Sequence, residues 1–249
     1  MLHLQGSVCR PGVRWYGGTV GSSKTDPQVE VAIARSFLGS VASETQARLF
    51  ADAIRLDVPA GSVLYRDEDP ARTGLVVAGL VRIYLTSAEG RQITVRYARS
   101  GAAVGVPMAV GGPVAVSAQA VTDSSLLLFP SATVRAIAMA DAGIAWRLAE
   151  EVTRLLYAVL DAFGGTVFGS VRQRLARHLL DLAAERQRDV LLPAPVSQQA
   201  LADAVGTARE VVARTLRDFR EAGLIESTRH GVVLLAPDRL HEVATTGEL

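Results

Sequence analysis

Residues 197–235, SQQALADAVGTAREVVARTLRDFREAGLIESTRHGVVLL, constrain the fold more than any other stretch of this chain. Ser197 offers a side-chain oxygen to a free backbone N–H of a first helical turn, and Leu201, Ala202 and Val205 follow at helical spacing. Gly206 interrupts that stripe with the residue type that takes a positive φ at no steric cost. A second stripe, Val212, Leu216 and Phe219, runs to Gly223, which suits a left-handed C-cap. Two short apolar runs then flank Arg229-His230-Gly231, the pattern of a hairpin. The order predicts a short helix, a tight turn, a second helix and a β-wing.

The spacing adds chemistry to this outline. Ala202 lets two helices cross closely, Gly206 turns the chain, and Val212 fills the angle between them. Arg209, Glu210 and Arg214, at i, i+1 and i+5 near the start of the second helix, are expected to project away from the face of Val212, Leu216 and Phe219. An arginine donates two hydrogen bonds to the O6/N7 edge of guanine, and a glutamate accepts from the N4 amino group of cytosine. Such groups near the start of a second helix are suited to reading a major groove. The charge pattern alone fits a solvated helix face equally well. Cap, turn and wing in this order are what favour DNA.

Bulk composition does not advertise that role, because the net charge of the 249 residues is only +1, so a DNA site must rest on local placement. A single cysteine, Cys9, excludes disulfide scaffolds and cysteine-rich metal or iron–sulfur sites within one chain. The four histidines, at 3, 178, 230 and 241, lack ligand spacing, and no metal is expected. Residues 1–27 hold Gly, Ser and Arg without a continuous apolar core, so a disordered extension is expected there rather than a secretory signal. Residues 100–122 carry no charge, yet Gly101, Gly105, Pro107, Gly111, Gly112 and Pro113 interrupt them. A buried strand–turn–strand fits better than a membrane span, and a cytoplasmic protein without membrane contact is expected.

Between residues 28 and 55 the pattern is helical, with Ser43 and Gln46 in the form of a capping box. From Leu56 to Phe129 short β runs alternate with glycine-bearing turns, as in an antiparallel jelly roll. Asp141 can cap a long helix, in which Leu148, Val152, Leu155 and Val159 alternate four and three apart. That seam suggests a dimer contact, with Leu156, Leu160 and Phe163 packing on the β domain; both stripes as intramolecular core is the alternative. Gly164-Gly165 suggests a hinge, and Ser170 can cap the next helix. The expected division is an extension over 1–27, a sensor domain over 28–140, a dimerisation helix with hinge over 141–165, and a winged helix–turn–helix domain over 166–249. The fold class is α+β.

This succession, with G206-TAREVVAR-214 in the reading region and LFADAIRLDVPAGSVLYRDEDP, GLVRIYL and EGRQITVRYARSG in the sensor, resembles the CRP/FNR family of bacterial transcription regulators over about residues 28–240. The resemblance implies a cyclic-nucleotide-binding-like domain and a homodimer joined by the long helix, with half-sites about 34 Å apart on duplex DNA. Arg209, Glu210 and Arg214 match the family's Arg-Glu-x-x-x-Arg, which implies a TGTGA-like half-site. Ser197, Gln198, Gln199, Thr207 and Arg229 stand where the family meets phosphate, whereas Ala208 and Val211 depart from the usual hydroxyl residues. RNA polymerase is the implied further partner of an activator.

The sensor departs most from the resemblance. In GVPMAVGGPVAVSAQA, Val106 stands at the position of the ribose-binding Glu and Val116 at that of the phosphate-binding Arg; Ser117 alone survives. Val159 and Leu160 replace two hydroxyls that meet adenine. No Arg or Lys occurs between Arg99 and Arg135, and a phosphodiester without a cation loses its charge-assisted hydrogen bonds. Cyclic AMP is therefore disfavoured as a tight ligand, although Arg82 and Arg96 could approach an anion from the strands. The reading is a non-enzymatic, homodimeric, sequence-specific transcription regulator with an altered effector pocket of Val106, Ser117, Val159 and Leu160. An effector-binding or adaptor protein whose winged helix meets other proteins is the alternative. A jelly-roll metal enzyme is disfavoured, since residues 28–170 hold no histidine.

Overall fold

The computed structural model describes residues 14–16, 26–65, 72–112, 115–183, 190–191, 197–228 and 231–249. In chain order the elements are β1 (Arg14–Tyr16), α1 (Pro27–Arg35), a 3-10 turn (Phe37–Ser40) and α2 (Ser43–Ala51). The β-rich region holds β2 (Ile54–Val58), β3 (Val63–Tyr65), β4 (Arg72–Ala78), β5 (Val81–Thr86), β6 (Gln92–Ala98), β7 (Ala103–Val104), α3 (Val106–Gly111), β8 (Ser117–Ala120) and β9 (Ser124–Pro130). Helices α4 (Ser131–Ala140), α5 (Ala142–Phe168) and α6 (Val171–Ala183) follow. The last part holds β10 (Val190–Leu191), α7 (Gln198–Val205), α8 (Arg209–Glu221), β11 (Ile225–Thr228), β12 (Gly231–Leu234) and α9 (Pro237–Thr246). Two compact units result: one contains the described residues up to Val81 with Ala98–Val152, the other Arg82–Tyr97 with Thr153–Leu249.

The first unit is built on an antiparallel sheet of order β1-β2-β9-β4-β7. Its central strand β9 reads SSLLLFP and is buried from Ser124 through Phe129, as expected of a strand covered on both faces. Phe129 meets Phe50 of α2 with ring centroids 5.6 Å apart, so the N-terminal helices close over the sheet. Asp141 accepts from the backbone N–H of Gly143 (2.9 Å) and from the hydroxyl of Thr45 (2.8 Å), and so starts α5 while tying it to α2.

Several expectations are corrected in this unit. Arg14–Tyr16, inside the expected disordered extension, forms β1 against β2. Ala42 rather than Ser43 precedes α2, with no side-chain cap; Gln46 instead donates to the carbonyls of Leu38 and Val41. The uncharged stretch is strand–helix–strand, not strand–turn–strand. Gly105 supplies the entry to α3 with φ +70°, Pro107 sits in the first turn where a missing N–H costs nothing, and a Cβ at Gly105 would run into the carbonyl oxygen of Arg72.

In the second unit β5 and β6 are hydrogen-bonded neighbours whose turn closes with Gly90 N–H donating to Ser87 O at 2.9 Å. Helices α6, α7, α8 and α9 surround a core in which Leu175, Leu179, Leu201, Val212, Phe219 and Leu240 are fully buried. The sheet beside them has the order β10-β12-β11. Arg220 of α8 donates to the hydroxyl of Ser227 on β11 at 3.1 Å, fixing the wing to the helix.

The long helix differs from the expectation in two ways. Gly164-Gly165 does not interrupt it: α5 runs unbroken for 27 residues to Phe168. The break falls at Gly169-Ser170, where Ser170 and Gln173 form a reciprocal capping box, Ser170 N–H to Gln173 Oε1 at 2.8 Å and Gln173 N–H to Ser170 Oγ at 3.2 Å. The exchanged stripes are the second correction. Leu148 and Leu155, expected in a dimer seam with Val152 and Val159, are 3% and 6% exposed and belong to the core of the chain itself. Leu156, Leu160 and Phe163, expected against the β domain, lie open instead.

Candidate DNA-reading surface and sensor pocket

The reading surface is built from α7 and α8. Ser197 Oγ accepts from the N–H of Ala200 at 3.0 Å and starts α7; Gly206, at φ +67°, ends it and releases the chain into α8. Val212, Leu216 and Phe219 bury one face of α8, which by the period of the helix turns Glu210 and Arg214 to solvent; Arg209, three residues before Val212 and so on its side of the helix, is exposed as the first residue of α8. Among the described residues none of these three side chains forms a hydrogen bond or ion pair. Three ionised side chains near a helix start are available to a partner surface. Arg217, one turn beyond Arg214, shares its exposed face. Its spacing of three from Arg214 is the signal in the sequence that points to it.

The expected phosphate contacts are distributed unevenly. Ser197 and Gln199 are exposed, Gln198 and Thr207 half-buried. Gln199 already donates to Asp203 Oδ1 at 2.8 Å. Arg229 lies outside the described residues. Ala208 precedes α8 without a side-chain cap, so the first-turn N–H groups of that helix have no side-chain acceptor from that position.

The expected sensor residues are divided between the two units. Val106 and Ser117 are buried, at 0% and 8% exposure, within the first unit. Val159 and Leu160 are exposed on α5 in the second. A cation that spacing does not suggest meets the cassette: Arg135 of α4 donates to the carbonyl of Ala109 in α3 at 3.0 Å. Arg82 and Arg96, offered by the sequence as substitute cations for the sensor, belong to the second unit. Arg82 donates to Thr94 (2.8 Å) and Gln92 (3.1 Å), and its guanidinium lies 4.7 Å from the Tyr84 ring centre.

Against this geometry the likeness to known proteins is direct. Residues 55–141 match the cyclic nucleotide-binding domain and residues 173–243 the Crp-like helix-turn-helix domain. The transcriptional regulator LdrP of Thermus thermophilus is 30% identical over 179 residues, spanning 70% of this chain and 88% of its own. The chain belongs to the CRP/FNR family of transcription regulators. A CRP/FNR-family regulator from Eubacterium rectale superimposes with a TM-score of 0.70 at 22% identity, covering 84% of this chain and 97% of that one, which is a likeness of fold. A further CRP/FNR-family regulator, also from Thermus thermophilus, gives 0.63 at 26% identity over 77% and 98%. Among the described residues no helix is long and apolar enough to cross a membrane, and no group of histidine, cysteine and carboxylate could hold a metal ion.

Proposed function

We propose that this regulator acts as a homodimer that reads a TGTGA-like palindrome through Arg209, Glu210 and Arg214. The observation that carries the reading is the open, unpaired state of these three groups at the start of α8, on a helix whose other face is fixed in the core. The two arginines meet guanines, and Glu210 meets a cytosine of the opposite strand. Ser197, Gln198 and Thr207 meet phosphates and set the register. RNA polymerase is a further partner if the regulator activates.

The surface of α5 supports the homodimer. Trp146, Ala149, Thr153, Leu156, Leu160, Phe163 and Val167 are all exposed and alternate three and four apart through the helix. That is an a/d repeat, the pattern of a two-helix seam. The sensor domain no longer takes cyclic AMP by the family's ligand set, because Val106 replaces a carboxylate inside the core and no cation stands beside Ser117 in the cassette sequence. A ligand shifts an equilibrium only by its differential affinity for two states. Cyclic AMP therefore leaves DNA affinity nearly unchanged.

A gel-shift titration across promoter fragments at moderate salt tests the reading. A saturable complex that prefers fragments carrying the palindrome is expected; equal, salt-sensitive binding to every fragment would mean that α8 reads no sequence.

A further inference from the structure

We propose that a cavity within the second unit, between β6 and α6, is an anion site that takes the phosphate group of a small phosphorylated ligand. Its volume is about 70 Å³, and its walls include Thr94 and Arg96 of β6 with Arg174, Arg177, His178 and Asp181 of α6. One water needs about 10–15 Å³ on this scale, so the space suits the five heavy atoms of a phosphate group, with the rest of a larger ligand left in the mouth. Three guanidinium groups and one carboxylate line it.

Backbone carbonyls position two of these arginines. Arg174 donates to the carbonyls of Val205 (3.1 Å) and Gly169 (2.8 Å), and Arg177 to that of Ala244 (3.4 Å). Arg177 also lies against α5 at Gly165, in the space a Cβ would fill. That contact gives Gly165 a purpose other than a hinge. Arg82 stands beside the cavity with Nε on Thr94 Oγ1, and its buried Nη2 has no hydrogen-bond partner among the described residues. Buried and close to Arg82, His178 is neutral at ordinary pH, with its pKa pushed down to about 3, so it adds no charge of its own. Guanidinium groups bind phosphate through paired, charge-assisted hydrogen bonds, which makes an oxyanion the matching occupant. None of its lining residues belongs to the Val106 and Ser117 cassette or to the reading triad of α8.

Calorimetric titration of the full chain, without DNA, with inorganic phosphate at fixed ionic strength tests this. One saturable site is expected, absent with chloride. Arg177→Gln should weaken it by about tenfold or more. Gly165→Ala, which keeps every charge but occupies the seat of the guanidinium, should weaken it in the same sense. Bound phosphate should also raise the pKa of His178 above about 3, read from its imidazole resonances. Adenosine 5′-monophosphate distinguishes the source: tighter binding than phosphate assigns a nucleotide, equal or weaker binding assigns free phosphate. Heats no different from chloride, or unchanged affinity in Gly165→Ala with circular dichroism intact, would overturn the proposal.

Discussion

His178 links residue chemistry to stability. Burial first, and the nearby charge of Arg82 second, hold its pKa at about 3 against an ordinary 6.5, while Tyr97 Oη lies 3.1 Å from Nε2. Between these two values the unfolded chain binds a proton that the folded chain refuses. Stability is therefore complete above about pH 6.5 and falls as the pH is lowered toward 3, with a slope of up to about 1.4 kcal/mol per pH unit from this group. Urea unfolding at a series of pH values should show that slope in the wild type and a shallower one in His178→Gln. At this scale the reading triad is legible in the sequence, because Glu210 and Arg214 lie opposite Val212, Leu216 and Phe219 and Arg209 stands at the open start of the same helix. Arg82 and His178 are not. Their environment comes from α6 meeting β5 and β6, a pairing of segments far apart in the chain that no local period encodes.

Among the elements, α7 and α8 follow from their own punctuation. Ser197 bonds the Ala200 N–H, and Gly206 holds φ +67°, both as the sequence suggests. Ser197→Ala should cost about 1 kcal/mol. Phe219→Ala, in a site with no exposure, should cost about 3–5 kcal/mol, measured by urea unfolding. The long helix is legible as a helix but not in its sides. Its two apolar stripes are similar in composition, so periodicity marks two faces without saying which turns inward. Leu148 and Leu155 prove to be core. Glycine propensity misleads at 164–165: about 1 kcal/mol per glycine against helix is small beside the packing of the surrounding α5. The cassette is misleading for a related reason. Gly105 and Pro107 look like interruptions between strands, yet they are the start of α3.

At the scale of the whole molecule the account requires two chains joined along α5. Leu160→Glu combined with Phe163→Glu should convert the dimer to monomers in sedimentation velocity and weaken DNA binding with it. Leu148→Ala should instead cost about 2–5 kcal/mol of stability and leave the oligomeric state unchanged. Calorimetry with cyclic AMP should detect no micromolar site; tight binding abolished by Ser117→Ala would show that the cassette still works. The most direct test of the central claim is DNA affinity of Arg209→Ala and Arg214→Ala on a TGTGA palindrome and on random duplex of equal length at one salt concentration. Each substitution should cost about 1–3 kcal/mol on the palindrome and little on the random duplex. An equal loss on both would contradict base reading by these side chains.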